Sequence, residues 1–111
     1  MKHYCLLLDL QDDPALIAAY DEYHQRVWPE IKASIRESGI LDMTIYRAAN
    51  RLVMIIETED DFSFERKAKL DASNPRVQEW EQLMSTFQKR LPFAAEGQKW
   101  VKADEVFHLI S

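Results

Sequence analysis

His24 stands in the run "AAYDEYHQRVWPEI", residues 18–31, with Tyr20 four residues before it and Trp28 four residues after. Steps of four place all three side chains on one face of a helix. An imidazole titrates near neutral pH, so it can accept and release a proton within one cycle. A hydroxyl and an aromatic surface beside it complete a wall suited to a polyol. The ring stacks on apolar sugar edges and the polar tips fix hydroxyls. The plainer alternative is a half-buried histidine satisfied by packing, and the aromatic neighbours weigh against it.

Trp80 is the second candidate, with Glu81 beside it. Its spacing with Val77 and Met84 fits a core anchor. Tryptophan is rarely sealed completely, however, and often walls a cleft. Glu81 reads either as a solvated carboxylate or as an acceptor for sugar hydroxyls. The remaining nucleophiles and ligands are weaker. His3 opens an apolar run and falls at the surface. His108 has no carboxylate or cysteine at ligand spacing, and the three or four ligands of a zinc site cannot be assembled, so no metal is expected. Cys5 reads as a small core residue. With only two glycines there is no phosphate loop, and no serine triad is present.

Several elements must position these groups. His3–Leu10 is a short apolar run closed by "QDDP", a buried strand signal. Asp12 or Asp13 can cap the next helix, with Pro14 at its first position. Ile17, Tyr20, His24, Trp28, Ile31 and Ile35 form one helical stripe. Pro29 predicts a kink or restart near Trp28, and Gly39 a stop. "DMTIYRAANRLVMIIETE" reads as two strands around a turn, with Asn50 suited to the left-handed conformation. A helix follows over about 63–72, and "SNP" breaks it. A second stripe holds Val77, Trp80, Met84, Phe87 and Leu91. A loop spans 92–98. "KWVKADEVFHLIS" contains the last strand, with Val106, His108 and Ile110 on one face.

The order β-α-β-β-α-α-β is the split βαβ, ferredoxin-like arrangement of the α+β class, with helices on one face of a mostly antiparallel sheet. The 111 residues fit a single domain, 1–111. So small a core makes a deep pocket within one subunit compete with stability. "LVMII" and "CLLL" are apolar on both faces, so the sheet needs a second cover. The simplest cover is another copy, giving a homodimer. The formal net charge of −5 with scattered Lys and Arg excludes a nucleic-acid partner. The N-terminus is too quickly acidic for a signal peptide, and no apolar run approaches a membrane span. The lone cysteine fits a cytoplasmic protein.

Taken together, "YDEYHQRVWPEI", "SGILDMTIYR", "NRLVMIIETE", "VQEWEQLM" and the terminal "EVFHL" resemble the L-rhamnose mutarotase family over nearly the whole chain. The resemblance implies a dimeric α/β barrel of ferredoxin-like subunits. It implies His24 as proton donor, and Tyr20 and Trp80 as sugar contacts. Two positions depart: the family's second-strand tyrosine falls on Met43, and a second consecutive tryptophan falls on Glu81. "KHYCLLLDL" and "DDFSFE" are similar to a variant associated with L-fucose. An acid can pair with a hydroxyl that an indole cannot, so Glu81 fits a changed hydroxyl pattern.

The implied reaction interconverts the α and β anomers of a 6-deoxy-hexopyranose, L-rhamnose or L-fucose. It changes no oxidation state and transfers no group, so it calls for no cofactor. His24 acts as acid and base, and a tyrosine, a carboxylate or water supplies the complementary step. Two rivals share the fold class: a cofactor-independent monooxygenase or haem-binding protein, and a non-catalytic small-molecule-binding module.

Overall fold

The computed structural model describes residues 1–110. The elements are β1 (Lys2–Leu10), α1 (Pro14–His24), α2 (Pro29–Glu37), β2 (Ile40–Ala48), β3 (Arg51–Thr58), α3 (Phe64–Ala72), α4 (Pro75–Ser85), β4 (Gln88–Lys89) and β5 (Val101–Lys102). The long strands run antiparallel in the order β2-β3-β1. The far edge of β1 is shared. β4 pairs with Asp9–Leu10 and β5 with Leu6–Leu7. This is the expected α+β arrangement.

Three helices begin on side-chain caps. Asp13 accepts from Ala15 N at 2.9 Å and Leu16 N at 3.1 Å, which decides between the two candidate aspartates. Ser63 caps α3 and Asn74 caps α4. α2 instead starts on Trp28, which makes no side-chain cap bond, with Pro29 at its first position. The expected restart is therefore real: His24 ends one helix and Trp28 opens the next. Gly39, at φ 98°, lies just beyond α2 and takes the chain into β2.

Strand alternation divides the sheet into two faces. Leu8, Leu10, Leu52 and Ile56 point towards the helices and are buried. The buried residues form two clusters instead of one. Leu10, Tyr20, Leu52, Met84 and Phe87 make the first. Leu6, Ile40, Ile56 and Phe62 make the second. Trp100 packs against both. The opposite face carries the cross-strand rows Tyr46–Val53–Leu7 and Thr44–Ile55–Cys5. Tyr46 and Ile55 are exposed there.

Three expectations need correction. Phe87 and Leu91 do not continue the α4 stripe. The helix ends at Ser85, and Gln11 N donates to Phe87 O at 2.9 Å, so the chain is drawn into the short β4 beside β1. Both side chains remain buried, so the stripe marked burial correctly and the helix end wrongly. In the hairpin turn, Ala49 takes the positive φ, 51°, not Asn50. Asn50 instead donates its amide to Leu10 O at 3.0 Å, which ties the turn to β1.

The last strand is the third. Only Val101–Lys102 pairs, and Ala103 N still donates to Cys5 O at 2.8 Å. Beyond it the chain leaves the sheet. Val106, Phe107, Leu109 and Ile110 are 75–94% exposed, and His108 pairs with Glu105 at 3.0 Å. Lys2–Tyr4 of β1 offer an open edge in the same register, and the chain turns away from it after Ala103. Ser111 lies outside the described residues.

Candidate active site

A cavity of about 670 Å³ opens between the helix-covered sheet face and helices α1, α2, α3 and α4. Its volume explains the two-part core: the sheet and helices stand apart where a continuous core would otherwise close. Tyr20, His24, Trp80 and Glu81 all line it, whereas Trp28, expected on the same wall, is not among the lining residues. Met43 and Trp100 line it too.

His24 is the last residue of α1. Its ring Nδ1 donates to the Tyr20 carbonyl at 2.8 Å, one of the unpaired carbonyls that every helix C-terminus leaves. In the neutral ring that bond places the proton on Nδ1 and leaves Nε2 without one. The imidazole lies 4.2 Å from the Tyr20 ring and 5.6 Å from the Trp80 ring, centroid to centroid. Burial in this aromatic setting lowers its pKa from 6.5. The Tyr20 carbonyl and the Asp21 carboxylate push the other way and do not prevail. The site therefore holds a neutral base at physiological pH.

Tyr20 is buried, and burial pushes its hydroxyl up to about 12. The Gln88 amide, hydrogen-bonded to it, acts in the opposite direction. Tyr20 therefore keeps its proton. The other amide atom, Gln88 Oε1, is buried with no partner among the described residues. Gln88 was invisible to sequence reading because the helical stripe ran past it. Its place in the cavity wall follows only from the switch to β4.

Trp28 does not share a helix with His24, yet it packs edge-on to Trp80 at 5.1 Å. The Arg76 guanidinium lies 3.8 Å over the Trp28 ring and also pairs with Glu79 at 2.7 Å and Glu30 at 3.5 Å. This cation–π stack joins α2 to α4 behind the aromatic wall. Asp21 anchors α1 from outside: its carboxylate receives Arg47 Nε at 2.9 Å and Nη2 at 2.6 Å, tying the helix to the hairpin tip.

Glu81 follows Trp80 on α4 and is half-buried. Gln78 Nε2 contacts its Oε2 at 3.4 Å and the Asp71 carbonyl at 2.9 Å. Asp71 and Lys67, both on α3, line the same cavity. Their i,i+4 spacing is visible in the sequence but is indistinguishable there from a solvated surface pair. His3 and His108 stay away from the cavity, paired with Glu57 and Glu105 on the exterior.

The geometry gives one neutral imidazole, a neutral phenol, aromatic walls and carboxylates around a space of monosaccharide scale. Known proteins resemble the chain in the same direction. It is 46% identical to the L-fucose mutarotase of Xanthomonas campestris pv. campestris over 111 residues, 98% of this chain and 89% of that protein. The crystal structure of the L-rhamnose mutarotase of Formosa agariphila superposes with a TM-score of 0.72 at 20% identity, covering 98% of this chain and 99% of that one. A dimeric ferredoxin-like protein from an uncultured marine organism gives 0.55 at 10% identity, covering 96% and 90%. The sequence model of one family, described as L-rhamnose mutarotase, matches residues 3–109. The chain belongs to the L-rhamnose mutarotase family.

Proposed function

We propose that the protein is a mutarotase that interconverts the anomers of L-fucose, with His24 as the proton-transfer group. The observation that carries this reading is the His24 ring. Its Nδ1 is committed to the Tyr20 carbonyl and its Nε2 is free at the wall of a cavity that Trp80 also lines. Nε2 takes the proton of the anomeric hydroxyl, the C1–O5 bond breaks and the ring oxygen takes a proton from a second donor. The aldehyde turns about C1–C2. The O5 hydroxyl then attacks the other carbonyl face and gives its proton back to the second donor, while the imidazolium returns its proton to the new anomeric oxygen. Tyr20, held neutral, orients a hydroxyl, and Trp80 stacks on the apolar edge. The 46% identity to an L-fucose mutarotase favours L-fucose over L-rhamnose, and Met43 and Glu81 are where this chain departs from the rhamnose pattern.

Saturation-transfer NMR on L-fucose, L-rhamnose and common aldoses tests the reading. The full-length protein should accelerate exchange between anomers, most strongly for L-fucose. Exchange at the buffer rate for every sugar, with sugar still bound, would instead mark a non-catalytic binding module. A Soret band on adding haem would favour the haem-binding alternative.

The working form is a homodimer, sheet against sheet, as a dimeric α/β barrel. The apolar rows on the open sheet face and the exposed tail from 104 to 110 support this, since patches of this kind mark association surfaces. Sedimentation velocity should give a dimer for the whole chain, whereas a chain ending at Ala103 should shift towards monomer. An unshifted dimer would show that the tail is not part of the interface.

A further inference from the structure

Resting on that reading, we infer that the Lys67–Asp71 ion pair, with Glu81, is the pole of the cavity that reads the sugar's ring hydroxyls away from the anomeric carbon. Lys67 Nζ meets Asp71 Oδ2 at 2.5 Å, and their side chains are only 26% and 13% exposed. Among the described residues no other ion pair is as buried on both sides. The neighbouring pair on the same helix, Glu65–Lys69, is 78–82% exposed and 3.7 Å apart.

As a helix-stabilising device the buried pair is placed badly. A cation N-terminal to an anion is the weaker order at i,i+4. Asp71 lies in the last turn of α3, where the helix dipole disfavours negative charge. Partial burial adds desolvation cost. Glu65–Lys69 has the favourable order, so α3 carries one pair suited to stability and one that is not.

What the buried pair does have is position. Lys67, Asp71 and Glu81 all line the cavity that holds His24 and Trp80. Gln78 links the Asp71 carbonyl to Glu81 Oε2, which fixes the end of α3 against α4. Lys67 occupies Asp71 Oδ2, and among the described residues no protein donor reaches Oδ1. The ammonium retains donors beyond the one it gives Asp71. A carboxylate that accepts and an ammonium that donates match two adjacent hydroxyls, each of which can do both. Lys67 is already neutralised by Asp71 and Glu81 lies beside them, so this pole suits the hydroxyls of a neutral polyol.

The test is a comparison across hydroxyl-deleted sugars. Anomer exchange and titration calorimetry are measured on L-fucose and its 2-, 3- and 4-deoxy analogues. Asp71→Asn should raise KM and Kd for L-fucose by about 10- to 100-fold, as expected for losing a charged hydrogen bond, with the saturated rate much less affected. One deoxy analogue should be nearly indifferent to the substitution, because the hydroxyl that Asp71 reads is already gone. Lys67→Met/Asp71→Leu removes both charges without leaving one unpaired, and should repeat the pattern if the single variant folds poorly. Equal losses for every sugar, or a lowered melting temperature with unchanged affinity, would reduce the pair to a structural role and overturn the inference. Wild-type protein that neither exchanges nor binds any sugar would overturn the function and this pole together. Wild-type exchange with an indifferent Asp71→Asn would overturn the pole alone.

Discussion

His24→Ala is expected to bring anomer exchange down to the buffer rate. Positioned acid–base groups contribute about 10²- to 10⁴-fold, equivalent to roughly 3–5 kcal/mol of barrier. Mutarotation proceeds slowly in water without help, so this accounts for most of the acceleration the protein has to supply. His24→Gln separates chemistry from packing, because the amide is polar and similar in reach but does not titrate. Both variants should keep the wild-type circular dichroism spectrum, since His24 is at the end of α1 and Tyr20 carries that helix's main burial. Wild-type kcat/KM should follow the neutral imidazole. It should be level near pH 7 and fall as the pH drops through a midpoint below 6.5, because burial lowers this pKa. Undiminished exchange in His24→Ala would remove this side chain from the mechanism. A midpoint above 6.5 would contradict the neutral, Nδ1-anchored ring.

Trp80→Ala carries the next largest effect, and it separates binding from turnover. The indole packs edge-on against both His24 and Trp28, so two packed rings hold it at the cavity wall. Removing it deletes the stacking surface for the sugar and one contact of the base. Aromatic stacking together with the buried apolar area predicts a loss of affinity of about 10- to 50-fold. The rate at saturating sugar should change much less. The half-buried position predicts a stability loss of about 2–3 kcal/mol, below that for a fully buried tryptophan. Trp80→Phe should recover most of both. Calorimetry showing the same Kd in Trp80→Ala would leave the indole as a packing residue only.

Residue type and period carried much of this structure. Apolar alternation marked the strands, and the steps of three and four brought Tyr20, His24 and Trp80 towards one space. Pro29 marked where α1 gives way to α2. The misses share a cause: each depended on a neighbour that lies far away in sequence. Phe87 and Leu91 keep the helical period, but the edge of β1 competes for the backbone and wins. The tail from 104 to 110 alternates like a strand, yet alternation does not make it pair, and it leaves the open β1 edge at Lys2–Tyr4. Asn50 has the right chemistry for the turn, but its amide is more useful on the Leu10 carbonyl, which leaves Ala49 in the strained position. Lys67 and Asp71 have the spacing of ordinary helix salt bridges, and only the fold turns them inward.

The divided core has a consequence for turnover. Most enzymes gain by gripping their substrate in a single pose. A ring-opening epimerase has to let go of part of it, because the freed aldehyde swings round before it recloses. A space of about 670 Å³ leaves slack around a lone pyranose. Firm hold at one end and looseness at the other would let the carbonyl pivot without releasing the sugar. Filling that emptiness with larger side chains is expected to raise thermal resilience and to freeze the pivot, which would make the unfilled room part of the catalytic equipment.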